Sequence, residues 1–222
     1  MLVFSCAWIE GPWGYKEAPS APPSRINMKF STSTILASTV ALAAAAFDDP
    51  VHPGDLFSLL SQRTGTFVQN GNVAVYKDGL GINNDQQIFC EKKPYPKYAA
   101  MSVNTSGGLF LYVDTNVVQA YVDRTPEGKG AIKWSTGVSP IDAKFERGPF
   151  EINANNTLQF VDGDKRYDFQ ACPITANDPN PSQVFTVWLG QYPNPTGDEC
   201  IPFTARALKL DDPQKCIYNG LP

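Results

Sequence analysis

Glu146 and Glu151 are the two carboxylates whose spacing best suits acid–base chemistry. Both lie in the segment 145–151. A glycosidase uses two such groups, because one carboxyl protonates the leaving oxygen while the other attacks the sugar or activates water. Gly148-Pro149 predicts a turn between them, and Arg147 is available for ion pairing at the surface. We therefore expect a solvated surface rather than a glycosidase site, and we predict no catalytic residue.

Other residue types that carry chemistry are sparse. The only histidine is His52, and no serine or cysteine nucleophile is close enough to it in the sequence to suggest a triad. Asp162-Gly163-Asp164 offers two carboxylates for calcium, but the further ligands of a full calcium loop are missing, so a hairpin turn is favoured. No Gly-rich phosphate loop of the Walker type is present. We predict no cofactor and no metal site.

An apolar segment near the start of the chain is typical of a secretory signal peptide. Met28-Lys29-Phe30 supplies a short charged start, residues 35–42 are mostly apolar, and Ala43 to Ala46 are the small residues of a cleavage point. The segment is shorter than the about 20 residues of a membrane span, which leaves a buried Ala-rich helix as the alternative. We predict three parts: a spurious or disordered extension at 1–27, a signal peptide at 28–46 and a secreted domain at 47–222.

Cleavage after residue 46 removes Cys6 and leaves an even number of cysteines. These are Cys90, Cys172, Cys200 and Cys216. An even count in an exported protein predicts two disulfides, and the sequence does not choose among the three pairings. A zinc site competes with this interpretation, but there is no Cys-x-x-Cys pair. Because residues 211–215 are polar, we expect Cys200 and Cys216 to anchor the tail, either to each other or to Cys90 and Cys172.

Two asparagines match the N-glycosylation pattern, Asn104 in Asn104-Thr105-Ser106 and Asn155 in Asn155-Asn156-Thr157. Both lie in turn-like stretches, and we expect at least one to carry a glycan. Five aromatic residues are candidates for a platform that binds sugar rings: Tyr112, Tyr121, Trp134, Trp188 and Tyr192. Aromatic residues in strands more often belong to the core, so carbohydrate binding is kept as an alternative.

The composition favours strands over helices. The 222 residues include 17 Gly and 19 Pro, which break helices, together with 13 Phe and 9 Tyr. Short apolar or alternating stretches, divided by turn residues, run from about residue 56 to residue 210, with a hairpin turn at 162–164 and a three-residue hairpin loop at 114–116. This pattern predicts one all-β domain, an antiparallel sandwich or closed barrel stapled by two disulfides. A β-trefoil is the alternative, although no fixed-period repeat is evident. The net charge of −4 argues against nucleic acid as a partner.

Five short motifs follow one another between Phe57 and Tyr218: FSLLS at 57–61, the strand pair at 109–122, ACP at 171–173, SQVF at 182–185 and DECIPFTA at 198–205. Their order resembles that in the PhiA family of fungal cell-wall proteins. Members of that family are secreted and are associated with phialide and conidium development and with IgE-reactive antigens. The resemblance implies a non-enzymatic wall protein and carries over no catalytic residues. The extension at 1–27 and the long loops around Asn177 and Asn194 depart from the pattern, so a role as a secreted effector stays open.

The residues predict a secreted, glycosylated protein without a catalytic site, and the resemblance implies that it is a non-enzymatic structural protein of the fungal cell wall with a link to conidiation. The expected partners are wall polysaccharide or other wall proteins, with no nucleic acid and no membrane span. The alternatives are a wall-polysaccharide-binding module and a small secreted glycoside hydrolase. Residues 217–222 lack the apolar tail of a GPI signal, so we expect attachment to be non-covalent or by disulfide.

Overall fold

The computed structural model describes residues 49–114, 116–137, 139–174, 184–197 and 199–221, and these residues form strands and no helix. Sixteen strands are found in these ranges: β1 Phe57–Gln62, β2 Gly71–Tyr76, β3 Gly79–Ile82, β4 Ile88–Cys90, β5 Met101–Val103, β6 Leu109–Leu111, β7 Val118–Asp123, β8 Ala131–Thr136, β9 Phe145–Glu146, β10 Phe150–Ile152, β11 Thr157–Asp162, β12 Lys165–Tyr167, β13 Phe169–Pro173, β14 Phe185–Leu189, β15 Ile201–Lys209 and β16 Cys216–Tyr218. The predicted extension and signal peptide lie outside the described residues.

Eight antiparallel strands close into a barrel. β1 pairs with β15 on one side and with β5 on the other, and the ladder continues through β6, β7, β8, β14 and β13 back to β15. The pairing of β1 with β15 runs from Phe57 opposite Lys209 to Gln62 opposite Thr204. The prediction of an antiparallel, closed all-β architecture is therefore confirmed.

The barrel wall forks at β1 and β14. The hairpin β2–β3 joins β1 at Leu60, which lies opposite Asn72, and joins β14 at Phe185, which lies opposite Ile82. The other ends of β1 and β14 pair with β5 and β8. A fork of this kind leaves a seam on the outside of the barrel, where β3 and β8 both border β14.

Alternation of apolar and polar residues places the core inside the barrel. In β14, Phe185, Val187 and Leu189 are buried while Thr186 and Trp188 are only partly so, as expected when successive side chains point to opposite faces. The cavity among Leu59, Leu109, Leu158 and other core side chains has a volume of about 10 Å³. This is too small for more than a single water. The described barrel is thus filled by its own side chains, and ligands must bind to its outer surface.

Two disulfides fasten the described chain. Cys90 and Cys216 lie opposite each other in the two-stranded sheet of β4 and β16 and are bonded, while Cys172 at the end of β13 is bonded to Cys200 before β15. The prediction of two disulfides is confirmed, and the structure selects one of the three pairings. These four sulfurs are not available as zinc ligands, because each is used in a disulfide. Of the arrangements expected for the tail, in which Cys200 and Cys216 bond either to each other or to Cys90 and Cys172, the structure has the second.

The C-terminal tail docks by burial as well as by its disulfide. Tyr218 is 6% exposed and pairs with Ile88 across the small sheet, on the same face as the bonded cysteines. A parallel bridge between Val113 and Cys216 attaches the sheet to the chain that leaves β6. The polar residues 211–215 therefore form a loop between two anchored strands.

The residues before β1 are also fastened to the barrel. The backbone N–H of Val51 donates to Asn156 Oδ1 over 3.0 Å, and the Asn156 side chain donates to the carbonyl of Asp49 over 3.1 Å. His52 donates its backbone N–H to Asp55 Oδ2, and the Asp55 carboxylate also contacts Lys209 Nζ at 3.0 Å. The hydrogen bond from the His52 backbone and, to a smaller extent, the one from Lys209 hold the pKa of Asp55 below its usual value. The sole histidine is thus placed by its backbone in a turn.

One local prediction differs from the structure. The β6–β7 ladder ends where Leu111 lies opposite Val118, so the strands stop short of the predicted three-residue loop at 114–116, of which Thr115 lies outside the described residues, and that prediction is wrong. The physical reason is that Val113 bridges to the tail at Cys216 and so leaves the ladder with β7. The turn predicted at Gly148-Pro149 lies in the connection of residues 147–149 between β9 and β10, where Gly148 has a φ of 142°. The hairpin turn at 162–164 is confirmed, since Asp162 lies opposite Lys165.

We expect loss of the Cys90–Cys216 disulfide to destabilise the protein more than loss of Cys172–Cys200. The two cysteines are 126 residues apart in the first bridge and 28 apart in the second. A longer closed loop restricts the unfolded chain more. In the chain-entropy model the first bridge stabilises the folded protein by about 5 kcal/mol and the second by roughly 3.5 kcal/mol. Urea unfolding of the two double Cys→Ala variants measures the difference, and a larger loss for the shorter loop would contradict it.

The buried Tyr218 makes the tail sensitive to high pH. Burial raises the pKa of Tyr218 to about 12, partly offset by a hydrogen bond with the Ala100 backbone. A tyrosine in the unfolded chain has a pKa of about 10, so the neutral phenol's contribution is fully present below about pH 10 and is lost as the pH rises to about 12. We expect the unfolding free energy to fall by about 2–3 kcal/mol over this range. Tyr218→Phe should lack this component, and equal pH profiles for the variant and the parent in denaturant titrations would refute it.

Candidate functional surface

The seam beside β14 contains a cleft of about 350 Å³, which we call the Trp188 cleft. Its floor and walls come from β3, β8 and β14, and the side chains that matter for binding are Tyr76, Asp78, Lys133, Thr186 and Trp188. Small-molecule sites are clefts of roughly 300–1,000 Å³, lined by aromatic and apolar groups with a few polar ones. The Trp188 cleft matches this description at the lower end of the size range.

The indole of Trp188 is held in place by its own strand. Because Trp188 and Thr186 are two residues apart in β14, their side chains share the outward face. The indole N–H of Trp188 donates to Thr186 Oγ1 over 2.8 Å, and that hydroxyl donates to the carbonyl of Cys172 over 3.3 Å. The ring is thereby fixed in orientation.

An ion pair supplies the polar side of the cleft. Lys133 Nζ lies 3.1 Å from Asp78 Oδ2. The hydrogen bond to Asp78 raises the pKa of Lys133 although burial acts against it, so the ammonium stays charged. The chain at Asp78 is positioned by Trp134, whose backbone N–H donates to the Asp78 carbonyl and whose indole N–H donates to the carbonyl of Gly79, both over 3.0 Å. Trp134 itself is buried, so it supports the cleft from the core.

Arg124 forms the most connected charged group outside this cleft. Its guanidinium contacts Glu146 Oε2 at 3.1 Å and Asp162 Oδ2 at 2.6 Å, and its Nε donates to Gln191 Oε1 over 2.9 Å. Only 16% of the Arg124 side chain is exposed. Burial would lower the pKa of Arg124, but the hydrogen bonds that its guanidinium donates to Asp162 and Glu146 outweigh burial and raise the pKa.

Aromatic rings complete the surroundings of Arg124. The guanidinium carbon lies 5.6 Å from the ring centre of Phe160 and 5.9 Å from that of Tyr167. The hydroxyl of Tyr192 donates to the Arg124 carbonyl over 2.6 Å. Arg124 therefore joins β7, β9, β11 and the loop after β14, which is a structural role.

The carboxylates that could have formed a glycosidase pair are bound by different arginines. Glu146 is held by Arg124, whereas Glu151 lies 3.3 Å from Arg166 Nη2. Arg147, expected to pair with a neighbouring acid, instead donates to Gln119 Oε1 and to the carbonyl of Ser139. Asp162 of the candidate calcium turn is engaged by Arg124. Within the described ranges, no three of the metal-binding residue types His, Cys, Asp and Glu cluster as a metal ion would require.

The five aromatic residues proposed as one sugar platform lie in separate places. Trp134 is buried in the core, Tyr121 stacks on Phe145 with ring centres 5.1 Å apart, and Tyr192 bonds to Arg124. Tyr112 lines another surface cleft, beside β4 and β16. The single platform is therefore wrong, because Tyr121, Trp134 and Trp188 lie in three different strands, and Tyr112 and Tyr192 lie in connections outside the strands. Only Trp188 of the five lines the Trp188 cleft.

The cleft beside β4 and β16, which we call the wide cleft, has a volume of about 700 Å³, twice that of the Trp188 cleft. Phe89 and Ile217 lie opposite each other on the outward face of the small sheet and are 65% and 43% exposed. Lys215 lies over the ring of Tyr112, with Nζ 5.6 Å from its centre. Acidic and basic residues surround this cleft in mixed order, so it has no single charge preference.

Asn104 and Asn155 are both exposed in turns, where an attached glycan would have room. Asn104 Oδ1 accepts from the backbone N–H of Ser106 and from that of Gly108. The backbone N–H of Asn155 donates to Asn153 Oδ1 over 2.9 Å. Neither asparagine lines the Trp188 cleft.

Sequence reasoning named Trp188 but missed its neighbours in the cleft. Asp78 and Lys133 are 55 residues apart in the chain, and nothing local marks them as a pair. Arg124 was also missed, because its partners Glu146 and Asp162 are 22 and 38 residues away. The alternation of β14 was the one available signal, since it places Thr186 and Trp188 outside the barrel.

Comparisons with known proteins agree with this description. A family model described as PhiA-like secreted protein matches residues 57–219. The chain is 28% identical over 192 residues to cell wall protein phiA of Aspergillus fumigatus, covering 84% of this chain and 97% of that protein. It is 29% identical over 198 residues to cell wall protein phiA of Emericella nidulans, covering 87% and 100%. For the protein of the same name in Arthroderma benhamiae the identity is 29% over 190 residues, covering 82% and 96%.

No solved structure matches the chain. In the described residues there is no helix whose length and hydropathy would suit a membrane span. The family match confirms the resemblance carried by the five short motifs, and the relatives place the protein outside the cell, at the wall. The chain belongs to the PhiA-like secreted protein family.

Proposed function

We propose that this protein is a non-enzymatic structural component of the fungal cell wall, held there without a covalent bond and active during conidium formation. The observation that carries the non-enzymatic role is the pairing of its candidate catalytic carboxylates. Glu146 and Glu151 are each bound by an arginine, and Asp162 shares the arginine of Glu146. An acid and a base for sugar hydrolysis must instead face one substrate between them. The link to conidia is supported only by the family resemblance.

The disulfides support non-covalent attachment. Cys90, Cys172, Cys200 and Cys216 are all used in bonds within the chain. A mixed disulfide to another wall protein would require breaking one of them. Cys90, Cys172 and Cys216 are at most 3% exposed, which restricts the access of an attacking thiol. Of the two modes of attachment considered from the sequence, non-covalent binding is thus favoured.

We expect hot detergent without a reducing agent to release the protein from washed cell walls. Non-covalent contacts are lost when the barrel unfolds, whereas a disulfide to a wall protein survives detergent alone. Immunoblots of the culture medium, the detergent extract, and the extract made with added reductant compare the three pools. Release only after reduction, or only after glucanase digestion, would overturn non-covalent attachment. Absence from every wall fraction would overturn the structural role.

The mature form of the protein is tested on the same extract. We propose cleavage after Ala46, so that the secreted domain begins at Phe47, and glycans on Asn104, Asn155 or both. N-terminal sequencing and intact mass before and after removal of N-linked glycans check both statements. A start at Met1 would refute the precursor, and an unchanged mass would refute glycosylation.

We expect Glu146→Gln to lower stability and to change no hydrolytic activity. The substitution leaves the Arg124 guanidinium, which is mostly buried, with one charged partner fewer, at a cost of about 1–2 kcal/mol after allowance for the 40% exposure of Glu146. The matched control is Glu151→Gln, whose ion pair is 46% and 47% exposed and should contribute less than about 0.5 kcal/mol. Thermal unfolding and reducing-sugar release from β-glucan and chitin measure the two properties.

Turnover that either substitution abolished would contradict the non-enzymatic role. Equal stability losses for the two variants would instead contradict the structural role of the contacts around Arg124.

A further inference from the structure

We propose that the Trp188 cleft binds a β-linked pyranose chain of the wall polysaccharide. The inference deepens the proposed function and rests on it, since it names what holds the protein in the wall. The cleft lies where the barrel wall forks: β14 pairs with β3 at Phe185 and Thr186, and with β8 only at Trp188. The fork exposes the outward face of β14 at this point without opening the core.

The indole of Trp188 offers a ligand its ring surface. Its only polar hydrogen is already donated to Thr186 Oγ1 over 2.8 Å, so a ligand meets an apolar plane of fixed orientation. Tyr76 lies at the end of β2 and borders the same cleft, with Lys77 Nζ 5.2 Å from the centre of its ring. Aromatic side chains give large contact areas at low entropic cost, which suits the flat C–H faces of a pyranose ring.

The Lys133–Asp78 ion pair of the cleft matches hydroxyls better than it matches a charged ligand. The Lys133 ammonium and the Asp78 carboxylate neutralise each other at 3.1 Å, yet both side chains remain about half exposed, at 41% and 61%. The carboxylate can accept from a hydroxyl, and the ammonium can donate to one, while the pair stays intact. An anionic ligand would have to compete with Asp78 for Lys133. A chain of neutral sugars meets no such competition.

A β-linked chain with equatorial hydroxyls combines these features, because its C–H groups form apolar faces and its hydroxyls lie at the edges. β-Glucan and chitin share this chemistry, and the two are separated by experiment. The wide cleft beside β4 and β16 is the rival surface on this protein. It has exposed apolar residues, Phe89 and Ile217, but among the described residues of its rim no ion pair lies beside an aromatic ring of fixed orientation.

The test is a titration of the secreted full-length product with laminarihexaose, chitohexaose and the α-linked control maltohexaose. Calorimetry gives the affinity, and tryptophan fluorescence reports on the cleft by difference from Trp188→Phe. We expect one or both β-linked hexamers to bind and maltohexaose to bind more weakly. Trp188→Ala should weaken binding on the order of tenfold, and Trp188→Phe by less, since a smaller ring keeps part of the contact. Asp78→Asn should weaken binding without shifting the fluorescence of the unliganded protein.

Phe89→Ala is the matched control, because it removes an exposed aromatic residue outside the cleft. It should leave affinity unchanged. Failure of both β-linked hexamers to bind the parent, unchanged affinity in Trp188→Ala, or loss of affinity in Phe89→Ala would each overturn the site. Thermal unfolding shows which variants are folded. If Trp188→Ala does not fold, the affinity of Trp188→Phe tests the site in its place.

Wall fractionation separates failure of the cleft from failure of the function. A parent protein that is retained in the wall but binds neither β-linked hexamer overturns the cleft and leaves the structural role standing. A parent that binds a hexamer but is found only in the medium overturns the structural role and leaves the cleft standing. Loss of Trp188→Ala from the wall fraction, with Phe89→Ala retained, supports both.

Discussion

The antiparallel pairing of β1 with β15 is the contact on which the rest of the structure depends. It brings Phe57 opposite Lys209, so it joins the beginning and the end of the described barrel. β1 then carries β2 and β5 on its other edge, and β15 carries β11 and β13. Such pairing between distant segments has a high entropic cost until neighbouring contacts form, so the filled core must form together with the ladder.

Because the described barrel is filled by side chains, a ligand could bind only on its outer surface. The residual gap in the described core is about 10 Å³, which leaves no room for a ligand among the strands. The surface features that remain arise where the ladder is incomplete. The Trp188 cleft lies at the fork between β3 and β8, and the wide cleft lies beside the two-stranded sheet that carries Cys90 and Cys216. Both clefts therefore lie where a strand pairs with different neighbours along its length or where a small separate sheet packs on the barrel.

Charge pairing on this protein serves to connect strands. Arg124 is mostly buried, and a buried guanidinium is tolerated only when its hydrogen bonds are satisfied. Glu146 and Asp162 satisfy it from two different strands, β9 and β11. The same carboxylates that look available for acid–base chemistry in a linear sequence are therefore occupied. The Lys133–Asp78 pair differs in that both side chains are about half exposed and face a cleft.

The sequence by itself was sufficient for the properties that depend on local pattern or on counting. Alternation in segments such as β7 and β14 predicts strands and assigns their buried faces, because side chains of a strand point alternately to its two sides. The even number of cysteines predicts two disulfides, and the order of five motifs identifies the family. The hairpin at 162–164 follows from its turn residues.

Tertiary structure alone decided the properties that depend on register between distant segments. The choice of Cys90 for Cys216 follows from the pairing of β4 with β16, and the partner of Glu146 follows from the position of Arg124. The β6–β7 ladder stops short of the loop that its turn residues predict because Val113 bridges to the tail. The five aromatic residues lie apart because three are in different strands and two, Tyr112 and Tyr192, are in connections between strands. Such contacts join residues tens of positions apart, and no local preference of the chain encodes them.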